Sequence, residues 1–260
     1  MYRPQKTERG YSARAMPSSN ERAFVAGATG LTGRYVVEAL RARGLATLAH
    51  VRPDSPRLAE WRARFEALGA EVDVTPWEPS AMRSALAARR PTIVFGVLGT
   101  TRARARRTAR MGGDASRESY EAVDVALTQM LVDASATLEP RPRLVYLSSL
   151  GAGEGARGSY LEARSRVERS LIASGVPYTI ARPSFIVGER DDARPAEKLG
   201  APLADALLGA VGMLGARRTA DRYRSIRGED LARALVLAAL DPTRADAVLE
   251  AEALQALARA

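Results

Sequence analysis

Ten residues near the start of the chain, Phe24 to Gly33, read FVAGATGLTG, and no other segment restricts the fold as much. A short apolar run ends in Gly27; Gly30 and Gly33 follow before an apolar-periodic stretch begins. Each glycine has its own use in a strand-turn-helix junction. The first permits a tight turn, the second lets the backbone approach a diphosphate, and the third lets the helix pack closely on the strand. A helix starting here presents unpaired N–H groups and a partial positive charge to an anion. The turn therefore predicts a dinucleotide site built from Gly27, Thr29, Gly30, Leu31, Thr32 and Gly33.

The rest of the chain continues the pattern this junction begins. Short apolar or β-branched runs over 23–27, 47–51, 71–74, 92–97, 143–148 and 178–182 predict strands. Alanine-rich amphipathic stretches near 31–43, 56–68, 79–89, 117–137 and 160–174 predict the helices between them. Strands alternating with helices imply βαβ units, hence an α/β doubly wound parallel sheet of the NAD(P)-binding Rossmann type. The last part reads differently. A charged, proline-rich loop over 188–202, an apolar stretch over 201–216 and a helix over 231–240 predict a small irregular C-terminal cap on the substrate side. Residues 1–22 read as a disordered basic extension, and 23–260 as one domain that includes the cap.

Cofactor choice depends on the end of the second strand. An acidic residue there accepts from the ribose 2′-hydroxyl, whereas an arginine meets a 2′-phosphate. The segment His50-Val51-Arg52-Pro53-Asp54 puts Arg52 at that position and Asp54 in the following turn, which predicts NADP(H) over NAD(H). His50, at alternating spacing within the strand, reads as a structural histidine.

Composition removes whole classes of chemistry. With no cysteine and one histidine, the chain has no thiolate, no disulfide and no multi-histidine metal site, so no metal is expected. No stretch supplies the roughly 20 apolar residues of a membrane span; 201–216 is too short and carries Asp205. Without an apolar core in the first 22 residues there is no secretory signal, and a cytoplasmic protein is expected. The net charge of +9 suggests nucleic acid until it is located. Residues 1–22 carry +3 and the run Arg102, Arg104, Arg106, Arg107, Arg110 carries +5, which leaves the body near neutral. The run reads as a solvated mobile loop, a lid over an anionic ligand, or a nucleic-acid contact. No aromatic residue interleaves it, so base stacking is not indicated, and nucleic acid is not expected as a partner. Trp61, Phe65 and Trp77 read as packing residues.

The segment FVAGATGLTGRYVVEAL resembles the atypical short-chain dehydrogenase/reductases, an NAD(P)H-binding group that includes the NmrA-like regulators. Four further segments resemble its Tat-interacting-protein/oxidoreductase subgroup: Leu98-Gly99-Thr100-Thr101-Arg102, Leu147-Ser148-Ser149-Leu150-Gly151-Ala152, Tyr160-Leu161, and Arg182-Pro183-Ser184 with the GERDDARP that follows. The resemblance covers roughly residues 23–240. It implies that Leu98, Gly99 and Thr100 line the cofactor near its nicotinamide ribose. It also implies that Ser149, rather than Ser148, holds a substrate carbonyl, that Tyr160 is the general acid/base, and that Pro183 and Ser184 lie beside the nicotinamide.

One departure stands out. The family motif is Tyr-x-x-x-Lys, and here the fifth position is Arg164. Positions i and i+4 share a helix face, so a cation still stands beside the phenol. Arginine, however, holds its proton too firmly for a relay, and its planar fork meets hydroxyls differently from an ammonium. A second slot, an acid after the third strand that often contacts adenine, is not cleanly filled by Asp73 or Thr75. Two functions follow. One is an NADPH-dependent oxidoreductase reducing a small carbonyl or enone through Ser149, Tyr160 and Arg164. The other is a non-catalytic NADP(H)-binding regulator or redox sensor acting through a protein partner. For either function the expected partners are a small-molecule substrate, a second copy in a homodimer, or another protein.

Overall fold

The computed structural model describes residues 21–99, 110, 112, 119–188 and 224–260. Strand β1 (Arg22–Ala26) enters the glycine turn and is followed by α1 (Leu31–Arg41), β2 (Ala46–His50), α2 (Leu58–Ala67), β3 (Glu71–Asp73), α3 (Pro79–Arg89) and β4 (Ile93–Gly96). A π-helical segment (Tyr120–Leu127) runs directly into α4 (Thr128–Ala136), then come β5 (Arg143–Leu147), α5 (Ser159–Ala173) and β6 (Tyr178–Arg182). The described chain ends with β7 (Ile186–Val187), β8 (Ile226–Arg227), α6 (Gly228–Leu240), β9 (Ala247–Glu250) and α7 (Ala251–Arg259).

Seven strands form one sheet in the order β3-β2-β1-β4-β5-β6-β9, and every neighbouring pair is parallel. Parallel sheets need both faces covered, and the core divides accordingly. One face packs Val36, Val37 and Leu40 of α1, Trp61 and Phe65 of α2, Leu231 and Leu235 of α6, and Leu254 of α7. The other packs Met82 and Leu86 of α3, Leu131 of α4, and Val167 and Leu171 of α5. The expected doubly wound α/β sheet is therefore the observed one, with strand ends shifted by a residue.

Two differences follow from tertiary context. The C-terminal part is more regular than its sequence suggested, because β9 joins the main sheet beside β6 and α6 and α7 pack beneath it. Four residues, AVLE, carry little strand signal, and Val248 is 39% exposed on what is an edge strand. The expected helix over 117–137 is π-helical in its first half. The apolar stretch 201–216, Arg102 to Arg107 of the arginine run, and 189–195 lie outside the described residues. Among the described residues no helix is long and apolar enough to cross a membrane.

Candidate functional site

In a doubly wound sheet, ligands meet the carboxyl ends of the strands near the point where strand order reverses. Here that point lies between β1 and β4, and the glycine turn occupies it. Gly27 has φ +85°, and a Cβ there would lie 2.6 Å from the Val97 carbonyl oxygen. Its own carbonyl accepts the Gly30 N–H at 2.9 Å, closing the turn. A Cβ on Gly33 would sit 2.1 Å from the Gly27 oxygen, so only glycine lets α1 start this close to β1. No side chain caps the N-terminus of α1 at Gly30, while Thr29 and Gly30 are exposed and Thr32 is buried. The Leu31 side chain lies beside Gly188 and Gly228. Among the described residues, the result is a helix N-terminus free of side-chain caps. That is the donor set a diphosphate fits.

At the end of β2, Arg52 is half-buried and its Nε lies 3.7 Å from Asp54 Oδ1. His50 is buried, with Nε2 2.8 Å from the Thr75 carbonyl oxygen and its ring edge-on to Trp77 at 4.8 Å. Burial pushes its imidazole below the usual histidine range, against the pull of the Thr75 bond. The ring is thus packed and bonded, consistent with a structural histidine. Asp73 accepts the Thr75 N–H at 2.9 Å and shapes the turn after β3.

The second rim is formed by the ends of β4, β5 and β6. Val97 and Leu98 lie against Gly27, so this rim begins where the glycine turn stops. Arg164 on α5 is buried, and its NH2 lies 2.5 Å from Asp124 Oδ1 of the π-helical segment. The same NH2 donates to the Leu98 carbonyl at 3.3 Å, and NH1 donates to the Leu147 carbonyl at 2.5 Å and the Tyr146 hydroxyl at 3.4 Å. The guanidinium carbon stands 5.3 Å from the Tyr160 ring centroid and 5.7 Å from that of Tyr146. Burial pushes the Tyr146 phenol up to about 12, partly opposed by Arg164. Gly99 touches the same cation, since a Cβ there would lie 2.9 Å from Arg164 NH2.

The two serines after β5 are not equivalent. Ser148 is buried and donates to Glu168 Oε1 at 2.5 Å, inside a network in which Arg182 grips both Glu168 oxygens and reaches Glu250 at 2.8 Å. Ser149 is half-buried, and among the described residues its hydroxyl has only a 3.5 Å contact with the Leu150 carbonyl. The next residue ties this loop to β6, because the Leu150 N–H donates to the Pro183 carbonyl at 2.8 Å. Pro183 is buried, and the Ser184 hydroxyl donates to the Arg224 carbonyl. Thr100 lies outside the described residues. The structure thus brings Gly27, Leu98, Gly99, Tyr160 and Arg164 into one line of contacts, while Arg52 stands apart at β2. Sequence reasoning named Arg182 only as part of a resembling segment, and missed Asp124, Tyr146 and Glu168. The one available signal was a lone charge inside the apolar run Val123-Asp124-Val125.

A family described as NAD(P)H-binding matches residues 27–207, and the chain belongs to it. The resemblance to the atypical short-chain dehydrogenase/reductases is borne out on that basis. Protein FMP52 of Debaryomyces hansenii is 28% identical over 171 residues, which are 65% of this chain and 68% of that protein. Among solved structures, a provisionally assigned NAD-dependent epimerase/dehydratase from Bacillus halodurans superposes with TM-score 0.61 at 17% identity, covering 92% of this chain and all of its own. UDP-glucose 4-epimerase from Thermus thermophilus, solved with NAD, superposes with TM-score 0.55 at 18% identity, covering 92% of this chain and 82% of its own. These likenesses show the fold. The four curated relatives are all named mitochondrial proteins, which overturns the cytoplasmic location expected from the sequence. The expectation had rested on residues 1–22 having no apolar core, a feature that bears on secretion alone.

Proposed function

We propose that the protein is an NADP(H)-dependent oxidoreductase that reduces a small carbonyl or enone, with residues 23–260 forming one dinucleotide-binding unit. The observation that carries this is the stacking of Tyr160 over the Arg164 guanidinium at 5.3 Å, beside the strand end that abuts the glycine turn. In this reading Gly27, Thr29, Gly30, Leu31, Thr32 and Gly33 hold the diphosphate, and Arg52 takes the 2′-phosphate. Leu98, Gly99, Thr100, Pro183 and Ser184 flank the nicotinamide end. A bound nicotinamide supplies hydride. Ser149, the serine not committed to Glu168, donates to the substrate oxygen and orients it. Tyr160 delivers the proton to that oxygen, and the Arg164 guanidinium stacked on its ring holds the phenol in place.

One observation favours the second reading, a regulatory NADP(H)-binding protein acting through a partner. Arg164 donates to protein carbonyls and faces Asp124, which suits a group retained for structure. The two are separated in solution. Titration should show NADPH binding more tightly than NADH, with Arg52→Ala reducing that preference roughly ten- to a hundredfold, the equivalent of about 1.5–3 kcal/mol for a charge-assisted bond. Equal affinity for both cofactors in the parent would sink the NADP assignment. A panel of aldehydes, quinones and enones should then yield a substrate for which Tyr160→Phe loses at least ~10²-fold in turnover at unchanged cofactor affinity. Turnover by Tyr160→Phe at the parent rate rules out the mechanism. Binding without turnover on the whole panel favours the regulator.

A further inference from the structure

We infer that Asp124 and Arg164 form a positioning pair that closes a split between β4 and β5, and that Arg164 acts by holding those two strand ends rather than by touching the cofactor. The inference deepens the proposed function, since these ends carry Leu98 and Gly99 on one side and Ser149 on the other.

The β4–β5 ladder ends at the pair Gly96 and Tyr146. Beyond it the strands must part to let a ligand approach, and each leaves carbonyl groups without a ladder partner. The guanidinium of Arg164 takes their place: NH1 holds the Leu147 carbonyl at 2.5 Å and NH2 holds the Leu98 carbonyl at 3.3 Å. A planar fork with two separated terminal nitrogens serves two carbonyls at once, whereas an ammonium is a single point. The departure from the family lysine therefore has a geometric use.

A buried cation needs a counter-charge. Asp124 supplies it at 2.5 Å, and is itself fully buried while its neighbours Val123 and Val125 are only half-buried. An apolar helical face would normally bury the valines. The backbone here is π-helical over Tyr120–Leu127, a rare form that tends to mark functional positions. The inward place in this segment goes to the aspartate, so a deviation from regular helix and a buried charge coincide at the residue that faces Arg164. The pair also neutralises itself, which keeps the charge under Tyr160 from being an isolated cation.

The test compares Asp124→Asn, Arg164→Gln, Arg164→Lys and the paired replacement Asp124→Leu with Arg164→Met. The readouts are amide exchange at Val97, bonded to the Ala26 carbonyl, and at Leu150, bonded to the Pro183 carbonyl, with NADPH affinity and turnover. The pair should loosen both strand ends together. Exchange at Val97 and Leu150 should speed at least tenfold in Asp124→Asn and in Arg164→Gln, with α1 unchanged. NADPH affinity should fall by the same factor in both, and combining them should add nothing further. Arg164→Lys should restore less than half of the lost protection. Should an unpaired buried charge prevent folding of the single variants, the Leu and Met pair decides, because apolar replacement of both partners of a buried pair is often tolerated. It should fold and still show fast exchange. Parent-like protection at Val97 and Leu150 in that variant overturns the inference. So does an Arg164→Gln chain that loses NADPH affinity while Asp124→Asn keeps both affinity and protection, since Arg164 would then contact the cofactor itself. If the parent does not bind NADPH, the proposed function fails, and the exchange data alone still decide the pair.

Discussion

The glycine turn after β1 and the arginine-bearing rim after β4, β5 and β6 meet at the backbone of Val97 and Leu98, yet they are held by opposite means. The turn is made by missing side chains: Gly27 and Gly33 leave space that the Val97 and Gly27 carbonyls fill. The rim is made by buried charges, with Arg164 against Asp124 and Arg182 against Glu168. A steric device tolerates no added atom but needs no matching charge. An electrostatic one can accept changes of shape, but each partner is costly without the other.

The largest effect is expected from adding one carbon to the turn. Gly33→Ala drives a methyl group into the Gly27 carbonyl, with 2.1 Å available, and should cost about 3 kcal/mol as severe overpacking does. Thermal unfolding and NADPH titration should both register it. A stable, cofactor-binding Gly33→Ala chain would remove the steric half of the comparison. On the rim, Glu168→Gln keeps the shape and removes the charge. It should cost about 1–3 kcal/mol, because Arg182 is mostly buried and retains Glu250. Denaturant unfolding measures this, and a loss below a few tenths would show that the Arg182–Glu168 network contributes shape alone.

The smallest effect concerns His50, the single buried histidine beside the turn. The fold holds its imidazole below the free value of 6.5, so the unfolded chain binds the proton more tightly. Its contribution is complete above that pH and is lost as pH falls toward the folded value, with a slope of at most ~1.4 kcal/mol per pH unit. Between pH 7 and 5, His50→Gln should lose stability less steeply than the parent, by about 1 kcal/mol over the interval. Identical slopes would mean that His50 is not held neutral.

Legibility differed along the same line. The strand ends at Ala26, His50, Gly96, Leu147 and Arg182 fall within a residue of those predicted, because period and glycine placement are local signals. Tyr160 and Arg164 were legible as neighbours on one helix face, and their stacking follows from that spacing. Arg164's partners were not legible, because Leu98 lies 66 residues away and the spacing of Tyr160 and Arg164 says nothing about a neighbouring strand end. The role of Ser148 also came from the fold, since Glu168 reaches it only when α5 packs beneath β5 and β6.

What the sequence by itself determined is the succession of strands and helices through β6 and the shape of the turn that receives a diphosphate. Both are written in local patterns, although the Val97 carbonyl that closes on Gly27 comes from the end of β4. Only the tertiary structure decided that Ala247–Glu250 completes the sheet, that Asp124 turns inward, and that Arg164 is spent on two strand ends. The physical reason is that a buried charge or a short edge strand has no stable state of its own. Its placement depends on the partner that the fold brings to it.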